Sequence, residues 1–470
     1  MSRRPSTGRA AHARHAGMTT VDGTPAEAGV GRALVTKLSW RLLPLLGIGY
    51  CLAYVDRVNI SFAALQMNAD LKFSATVYGA GAGVFFLGYA AFEVPSNLLL
   101  VRFGARRWLA RIMFTWGLLA AGMMFVRTPV QFYVMRFLLG LAEAGFFPGV
   151  IYYLSLWFPS AWRARAISRF YIAAPLGSVF MGALAGALLG LKGTLGLAGW
   201  QWLFLLEGLP AVALSFAILK FLPDGPAQAT WLEDSEKRRL EAALRADTPA
   251  VAESRRPTVV KAILNAPVLA LGAVNFLLLA VIYAITFSAP LMIRSATDWS
   301  AGPIGAVVAI GGVLGAASML VAGWLSDQSR DRLVSVAIPL FIAAAVLAVM
   351  AFDTGPVVLI GGYLAFFVMV YAVLGVFWAP LDRLLPRSFA PVAIAAINTI
   401  GMVGSFIAPI LWGRAKDLSG GYALGLKILP LAIALAGAIV LALRAWARTR
   451  APSDQVGTGW ATRRRSSYRI

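Results

Sequence analysis

Residues 42–64 read LLPLLGIGYCLAYVDRVNISFAA. As a helix rising about 1.5 Å per residue, such a run spans a hydrocarbon core of about 30 Å. Yet an acid and a base, Asp56 and Arg57, stand side by side within it. Insertion scales put each of these at about 2.5 to 3.5 kcal/mol near the centre of a membrane helix, a cost that leucine avoids. The stretch therefore raises two questions: whether the whole chain is built of such runs, and what two charges do where charge is most expensive.

Composition answers the first. Of 470 residues, 59% are hydrophobic and 13% charged, and the mean hydropathy is +0.74. Soluble domains of this size are less apolar. The net charge of +21 gathers at the chain ends and between apolar runs, where membrane orientation and anionic headgroups explain it. That placement argues against a nucleic-acid partner. Cys51 is the single cysteine, and His12 and His15 are the two histidines, so disulfide frameworks and Cys/His metal sites are excluded. The Arg-rich start lacks the apolar core and cleavage site of a signal peptide, and Met18 offers an alternative start.

Twelve apolar segments follow one another, at 42–66, 77–100, 108–126, 130–157, 166–190, 200–222, 264–292, 302–325, 333–352, 356–380, 390–412 and 423–446. The fold class predicted is an all-α membrane protein of twelve spans in two six-helix bundles. Its parts are a tail (1–40), a first bundle (41–222), a polar linker (223–260), a second bundle (261–446) and a second tail (447–470). Within the linker, Leu232 to Leu244 fits a short amphipathic helix at the membrane surface. Arg102, Arg106, Arg107, Arg163, Arg165, Arg169, Arg330, Arg332, Arg383 and Arg387 share one side with the linker and both tails, including Arg463, Arg464 and Arg465. The other side holds only scattered Lys72, Arg127, Lys192, Arg294, Lys416 and Lys427. The Lys/Arg bias makes the rich side cytoplasmic, with both termini inside a plasma (inner) membrane. Glycine strings such as GAGAGVFFLG suit close helix packing.

The second question concerns the charges. Beside Asp56 and Arg57, the first half carries Glu93, Arg136, Glu143 and Glu207 within apolar segments. Ionisable residues in a membrane usually face a bundle interior or a water-filled cavity and mark a pathway. Arg136 and Glu143 are two turns apart and share a helix face, as do Tyr89 and Glu93. The second half offers Asn275, Tyr283, Trp378 and Asn398 at mid-span, with no clear charge. Charge handling thus concentrates in one half while the other completes a pocket. Structural readings stay open: an Arg136–Glu143 pair locking helix four, Glu93 serving backbone freed near Pro95, and Glu207 satisfying a neighbouring helix end.

Two six-helix halves joined by a linker resemble the major facilitator superfamily. That family carries the loop signature G-x-x-x-D-R-x-G-R-R after helix two. Here NLLLVRFGARR has Asn97 at the first glycine position and Val101 at the acid, but keeps Arg102, Gly104 and Arg106. The loop after helix eight, GWLSDQSRDR, keeps Gly323 and Asp327 and has Arg330 at the second glycine position. More narrowly, YVDRVN, FFLGYAAFEVPSNLLL, RFLLGLAEAGFFPG, GLAGWQWLFLLEGLPAV and FWAPLDRLLPRSFAPVAIAAINTIGMVGSFIAP resemble the anion:cation symporter family, most of all its tartrate and phthalate permease branch. The likeness spans roughly residues 40 to 445.

The resemblance implies roles. Asp56 and Glu143 match the proton-coupling acids, and Arg136 the arginine that pairs with them. Arg57 matches the arginine that meets the substrate carboxylate. Tyr54, Tyr89, Trp378 and Asn398 match pocket positions. Where sugar-acid carriers have a polar residue in helix five, this chain has Ala173, Ala174 and Pro175, which favours a smaller or more aromatic acid. The function implied is proton-coupled uptake of a small organic carboxylate by alternating access. It needs no cofactor, and its partners are the substrate, protons and lipid around a monomer. The alternatives are a proton-independent facilitator or exporter, or a non-transporting sensor. The chain carries no GxSxG, phosphate loop or metal constellation, so an enzyme is not expected.

Overall fold

The computed structural model describes residues 30–247, 264–329, 331–353, 355–384 and 390–449. Among the described residues twelve helices are long and apolar enough to span a membrane. They are α1 (Arg32–Asp70), α2 (Ala75–Phe103), α3 (Ala105–Phe125), α4 (Pro129–Ser155), α5 (Ser160–Gly190) and α6 (Gly199–Phe221), then α7 (Ala266–Thr297), α8 (Ala301–Gln328), α9 (Arg332–Phe352), α10 (Pro356–Val376), α11 (Val392–Ser419) and α12 (Ala423–Thr449). His12, His15, Arg330, Arg387 and Arg463 to Arg465 lie outside the described residues. So does part of the segment that joins the halves.

Several helices outrun their apolar segments. α1 begins at Arg32, ten residues before the run read from sequence. Apolarity marks only the part matched to hydrocarbon, whereas intrahelical hydrogen bonding carries on into the polar boundary. α10 is shorter than expected and ends at Val376. Two helices are interrupted. α4 stops at Glu143 and resumes at Phe146, across Gly145 with φ 88°. A Cβ on Gly145 would overlap the Ser96 side chain of α2. α5 breaks at Ile172, just ahead of Pro175.

The linker helix, Asp234–Asp247, packs on the first bundle. Leu240 is fully buried, and Trp231 stacks on Trp157 with ring centroids 5.7 Å apart. Lys37 Nζ donates to Glu236 Oε2 at 2.7 Å. That hydrogen bond holds the Glu236 carboxyl below its usual range.

We call the side holding this helix the linker side, and the opposite one the far side. The halves meet most closely toward the far side. There α5 and α8 touch backbone to backbone at Gly182 and Gly305, where a Cβ on either would overlap the other's carbonyl oxygen. Between α2 and α11, Asp417 accepts hydrogen bonds from the Thr76 amide at 2.7 Å and hydroxyl at 2.6 Å, and from the Ala75 amide at 3.0 Å. A carboxylate at the start of α2 also complements the helix dipole. Tyr78 Oη donates to the Phe287 carbonyl at 2.8 Å, tying α2 to α7. Above this seam a cavity of about 520 Å³, lined in part by Arg294, Trp412 and Lys416, opens on the far side.

If the α5–α8 approach keeps the far side shut, Gly182→Leu should hold it open. On a Cys51→Ala background, a cysteine at Ser288, which lines the far-side cavity, should then react with a membrane-impermeant maleimide several-fold faster. An unchanged labelling rate would show that the glycine contact does not govern closure.

Candidate functional site

The charged residues of the first half meet near mid-depth. Asp56, Tyr89 and Glu143 each lie fourteen residues from the far-side end of their helix, at Asp70, Ala75 and Pro129 respectively. Successive helical residues are turned by about 100°, so Asp56 and Arg57 leave α1 in different directions.

Arg57 reaches the seam. Its Nε and Nη2 donate to Glu143 Oε1 at 2.9 and 2.5 Å. The guanidinium lies 5.2 Å from the Tyr89 ring centroid and 5.8 Å from that of Phe85, within the range where an aromatic face attracts a cation. Tyr283 of α7 also faces it, from the other half. The side chain of Arg57 keeps 13% of its exposure against 1% for Glu143, so the arginine is the member of the pair that reaches open space. Glu143 Oε2 has no donor.

Asp56 turns into the first bundle. Its Oδ1 accepts from Asn59 Nδ2 at 3.1 Å and its Oδ2 from Trp116 Nε1 of α3 at 3.2 Å. Arg136 is nearly fully buried. Its Nε donates to the Gly81 carbonyl at 3.3 Å, and it lies 4.9 Å from the Phe85 ring centroid, while Nη1 and Nη2 have no acceptor. This corrects the expectation that Arg136 pairs with the acids. No ion pair of 4.0 Å or less joins Arg136 to an acid among the described residues, and Glu143 is held by Arg57 instead. Asp56 remains the leading charged neighbour of Arg136. The physical reason lies on α1, where Arg57 projects directly at the last turn before the α4 break and takes Glu143 first.

The second half supplies neutral groups. Tyr54 and Tyr371 of α10 share a hydrogen bond at 2.8 Å between their hydroxyls. Asn398 Nδ2 lies 3.5 Å from Glu93 Oε2, bridging α11 and α2. Trp378 is not at mid-span. It sits beyond the end of α10, 37% exposed, against the ring of Phe377. Asn275 donates to the Ile397 carbonyl at 3.1 Å and ties α7 to α11.

The loop residues also divide. Gly104 takes φ 87° between α2 and α3, and the Arg106 amide donates to Asp224 Oδ1 at 3.0 Å. Asp224 follows α6, so an acid from elsewhere in the half caps α3 where Val101 provides none. Arg102 lies over the Phe103 ring. Gly323 has open space around it, and Asp327, 80% exposed, reaches Arg332 only at 4.0 Å. The engaged acid here is Asp331. It caps α9 through the Leu333 amide and takes Arg444 at 2.5 Å and Arg448 at 3.2 Å. Partial burial pushes its carboxyl up, and the two arginines outweigh this and hold it below its usual range.

Sequence reasoning missed Trp116, Tyr371, Asp224, Asp331 and Asp417. Asn59 was within reach, since it ends YVDRVN one turn after Asp56. Trp116 gave no signal within an apolar run.

The assembled site is a buried cation–acid pair at the seam of two six-helix bundles, backed by a second acid and ringed by tyrosines. It has no nucleophile–base pair, and it suits recognition of an anion better than bond making. The chain has relatives that fit such a site. It is 40% identical over 84% of its length, and 87% of the other's, to a protein of Agrobacterium vitis named "Putative tartrate transporter". It is 35% identical, over 84% of its length and 91% of the other's, to a "Quinolone resistance transporter" of Acinetobacter baumannii. Its backbone superposes with TM-score 0.70, at 16% identity and over 89% of this chain and 98% of the other, on a bacterial homologue of the human lysosomal transporter Spinster. Residues 46–409 match the Major Facilitator Superfamily. The chain belongs to that superfamily and is a transport protein, not an enzyme.

Proposed function

We propose that this protein carries a small organic carboxylate across the plasma (inner) membrane together with protons. The observation that carries the reading is the Arg57–Glu143 pair. An arginine fork matches a carboxylate in two hydrogen bonds, and here the fork already holds one that belongs to the protein. A proton arriving on Glu143 removes the negative charge that occupies Arg57, and a substrate carboxylate takes its place. When the substrate leaves and the proton departs, Glu143 closes on Arg57 again. Proton and anion therefore travel as a pair, by exchange at one guanidinium.

Asp56, next to Arg136 and behind Arg57, is the second proton site in this reading. Tyr54, Tyr89 and Tyr283, with Asn398, supply neutral contacts around the anion. A compact diacid such as tartrate or a flat one such as phthalate suits such a chamber, and the name of the Agrobacterium relative supports that class. The linker side is cytoplasmic by the Lys/Arg bias. The bundles of residues 41–222 and 261–446 rock about the site, and one chain forms it whole.

A second reading is export without proton symport, favoured by the similarity to a quinolone resistance protein. Proteoliposomes separate the two. Under symport, acidifying the outside drives labelled tartrate or phthalate inward above equilibrium. Export without symport shows no such accumulation.

Three substitutions test the roles. Glu143→Gln leaves Arg57 without its charged partner, so it should retain substrate exchange at equal pH while losing acid-driven accumulation. Asp56→Asn should also abolish accumulation, and accumulation that survives it would remove Asp56 from coupling. Arg57→Lys loses the fork geometry and should weaken binding of the carboxylate about tenfold or more, about 1.4 kcal/mol. Calorimetry on purified protein showing unchanged affinity would take Arg57 out of the substrate site.

A further inference from the structure

The far side has few bases, and the fold brings two of them to one place. Arg294, near the end of α7, and Lys416, near the end of α11, both line the far-side cavity of about 520 Å³. Small-molecule sites commonly hold about 300 to 1,000 Å³. On α2 the lining residue Tyr78 lies eleven residues from Tyr89, and on α7 Arg294 lies eleven from Tyr283. The cavity therefore sits about 16 Å beyond the central site along the helices. Phe86, Tyr283 and Phe287 pack together between the two, with ring centroids 4.4, 5.4 and 6.2 Å apart.

The polar groups of this cavity are unevenly engaged. Neither cation makes an ion pair among the described residues. Lys416 Nζ donates to the Tyr422 hydroxyl at 2.8 Å, and an ammonium has further N–H groups to give, as does the fork of Arg294. Two acids share the lining. Asp417 gives both oxygens to the start of α2, accepting from Ala75 and Thr76, and the positive end of that helix answers its charge. Asp298 stands exposed just after α7 and pairs with neither cation. Trp412 and Tyr422 stack with centroids 6.0 Å apart and form an aromatic wall. Donors in surplus beside an aromatic face are complemented by an ionised carboxylate, which only accepts.

We propose that the far-side cavity is a second binding site for a small organic carboxylate, held by Arg294 and Lys416 beside the Trp412–Tyr422 wall. The choice of anion rests on the reading of the central site given above. The two sites divide between the halves: Arg57 belongs to the first bundle, and Arg294 and Lys416 to the second. Cations in a cleft raise the local concentration of an anion and speed its arrival. Tyr78 and Phe287, whose hydrogen bond ties α2 to α7, also line this cavity. An anion held here thus waits at the closed seam, and parting of that contact opens its way toward Arg57.

Ligand protection of a thiol in the full-length protein tests this. Ser295→Cys on the Cys51→Ala background puts the thiol in the cavity lining. Phthalate should slow its reaction with a cationic, membrane-impermeant methanethiosulfonate several-fold. Arg294→Gln combined with Lys416→Gln should remove that protection, whereas Arg57→Gln, which disables the central site, should keep it. Absence of protection, its survival in the doubly substituted protein, or its loss in Arg57→Gln overturns the proposal. Labelling needs neither transport nor a proton gradient, so the two readings fail separately. Uptake of labelled phthalate without protection strikes the cavity site alone, and protection without uptake strikes the symport reading alone.

Discussion

A guanidinium buried at the meeting of two helical bundles must have a carboxylate beside it, and the rest of the site follows from how Glu143 is brought there. An unpaired central charge costs several kcal/mol in a membrane. Arg57 avoids this by two hydrogen bonds to one oxygen of Glu143. Glu143 stands at the last helical residue before α4 breaks, and the break is held by Gly145, pressed against Ser96 of α2. Ser96 in turn accepts from the Trp108 indole of α3 at 3.0 Å. Three helices thus fix the position of one carboxylate. A side chain at residue 145 would push α2 away, and Arg57 would lose its partner with it.

Adjacent residues on one helix serve two compartments because each step turns the direction by about 100°. Arg57 points to the seam, where aromatic faces and a second half wait. Asp56 points inward, to Trp116, Asn59 and Arg136. The YVDRVN stretch thus places a cation on the seam face of α1 and an acid on another. The cost of two central charges is offset within one bundle, by Glu143 for the first and by two neutral donors with Arg136 nearby for the second.

This division explains what could be read from sequence. The twelve spans, the linker helix and the gathering of charge in the first half were legible because each is a property of local composition. That the polar faces of α1, α2 and α4 could meet was legible from spacing, since Arg136 and Glu143, like Tyr89 and Glu93, share a helix face. Which arginine holds which acid was not, since a difference in projection along α1 and α4 decides it, and hydropathy carries no record of projection. Trp378 misled because its apolar neighbours extend the run past the true helix end at Val376. Asp224 and Asp331 were overlooked for a related reason: Asp224 caps a helix from outside the loop signature, and Asp331 does so from a signature position where the family has an arginine, each through backbone amides that no motif encodes.

The unequal halves bear on how such a carrier moves. In a protein built of two bundles, alternating access is largely a rocking of one against the other. Breaking a buried ion pair costs about 3 to 5 kcal/mol, whereas a neutral hydrogen bond is worth about 0.5 to 1.5 kcal/mol net. Here Arg57 and Glu143 belong to the same bundle and move as one body. Contacts that cross the seam at the site include the Tyr54–Tyr371 hydroxyl pair, the long Asn398–Glu93 contact, Tyr283 facing Arg57 and the aromatic packing of Tyr283 on Phe86 at 4.4 Å between centroids. The second bundle can therefore swing without dismantling the buried pair, against weak contacts at the site and the Asp417 hydrogen bonds to Ala75 and Thr76 on the far side. An ion pair drawn across the seam would instead lock the carrier in the state that formed it. The concentration of charge in one half is, on this argument, a condition for turnover.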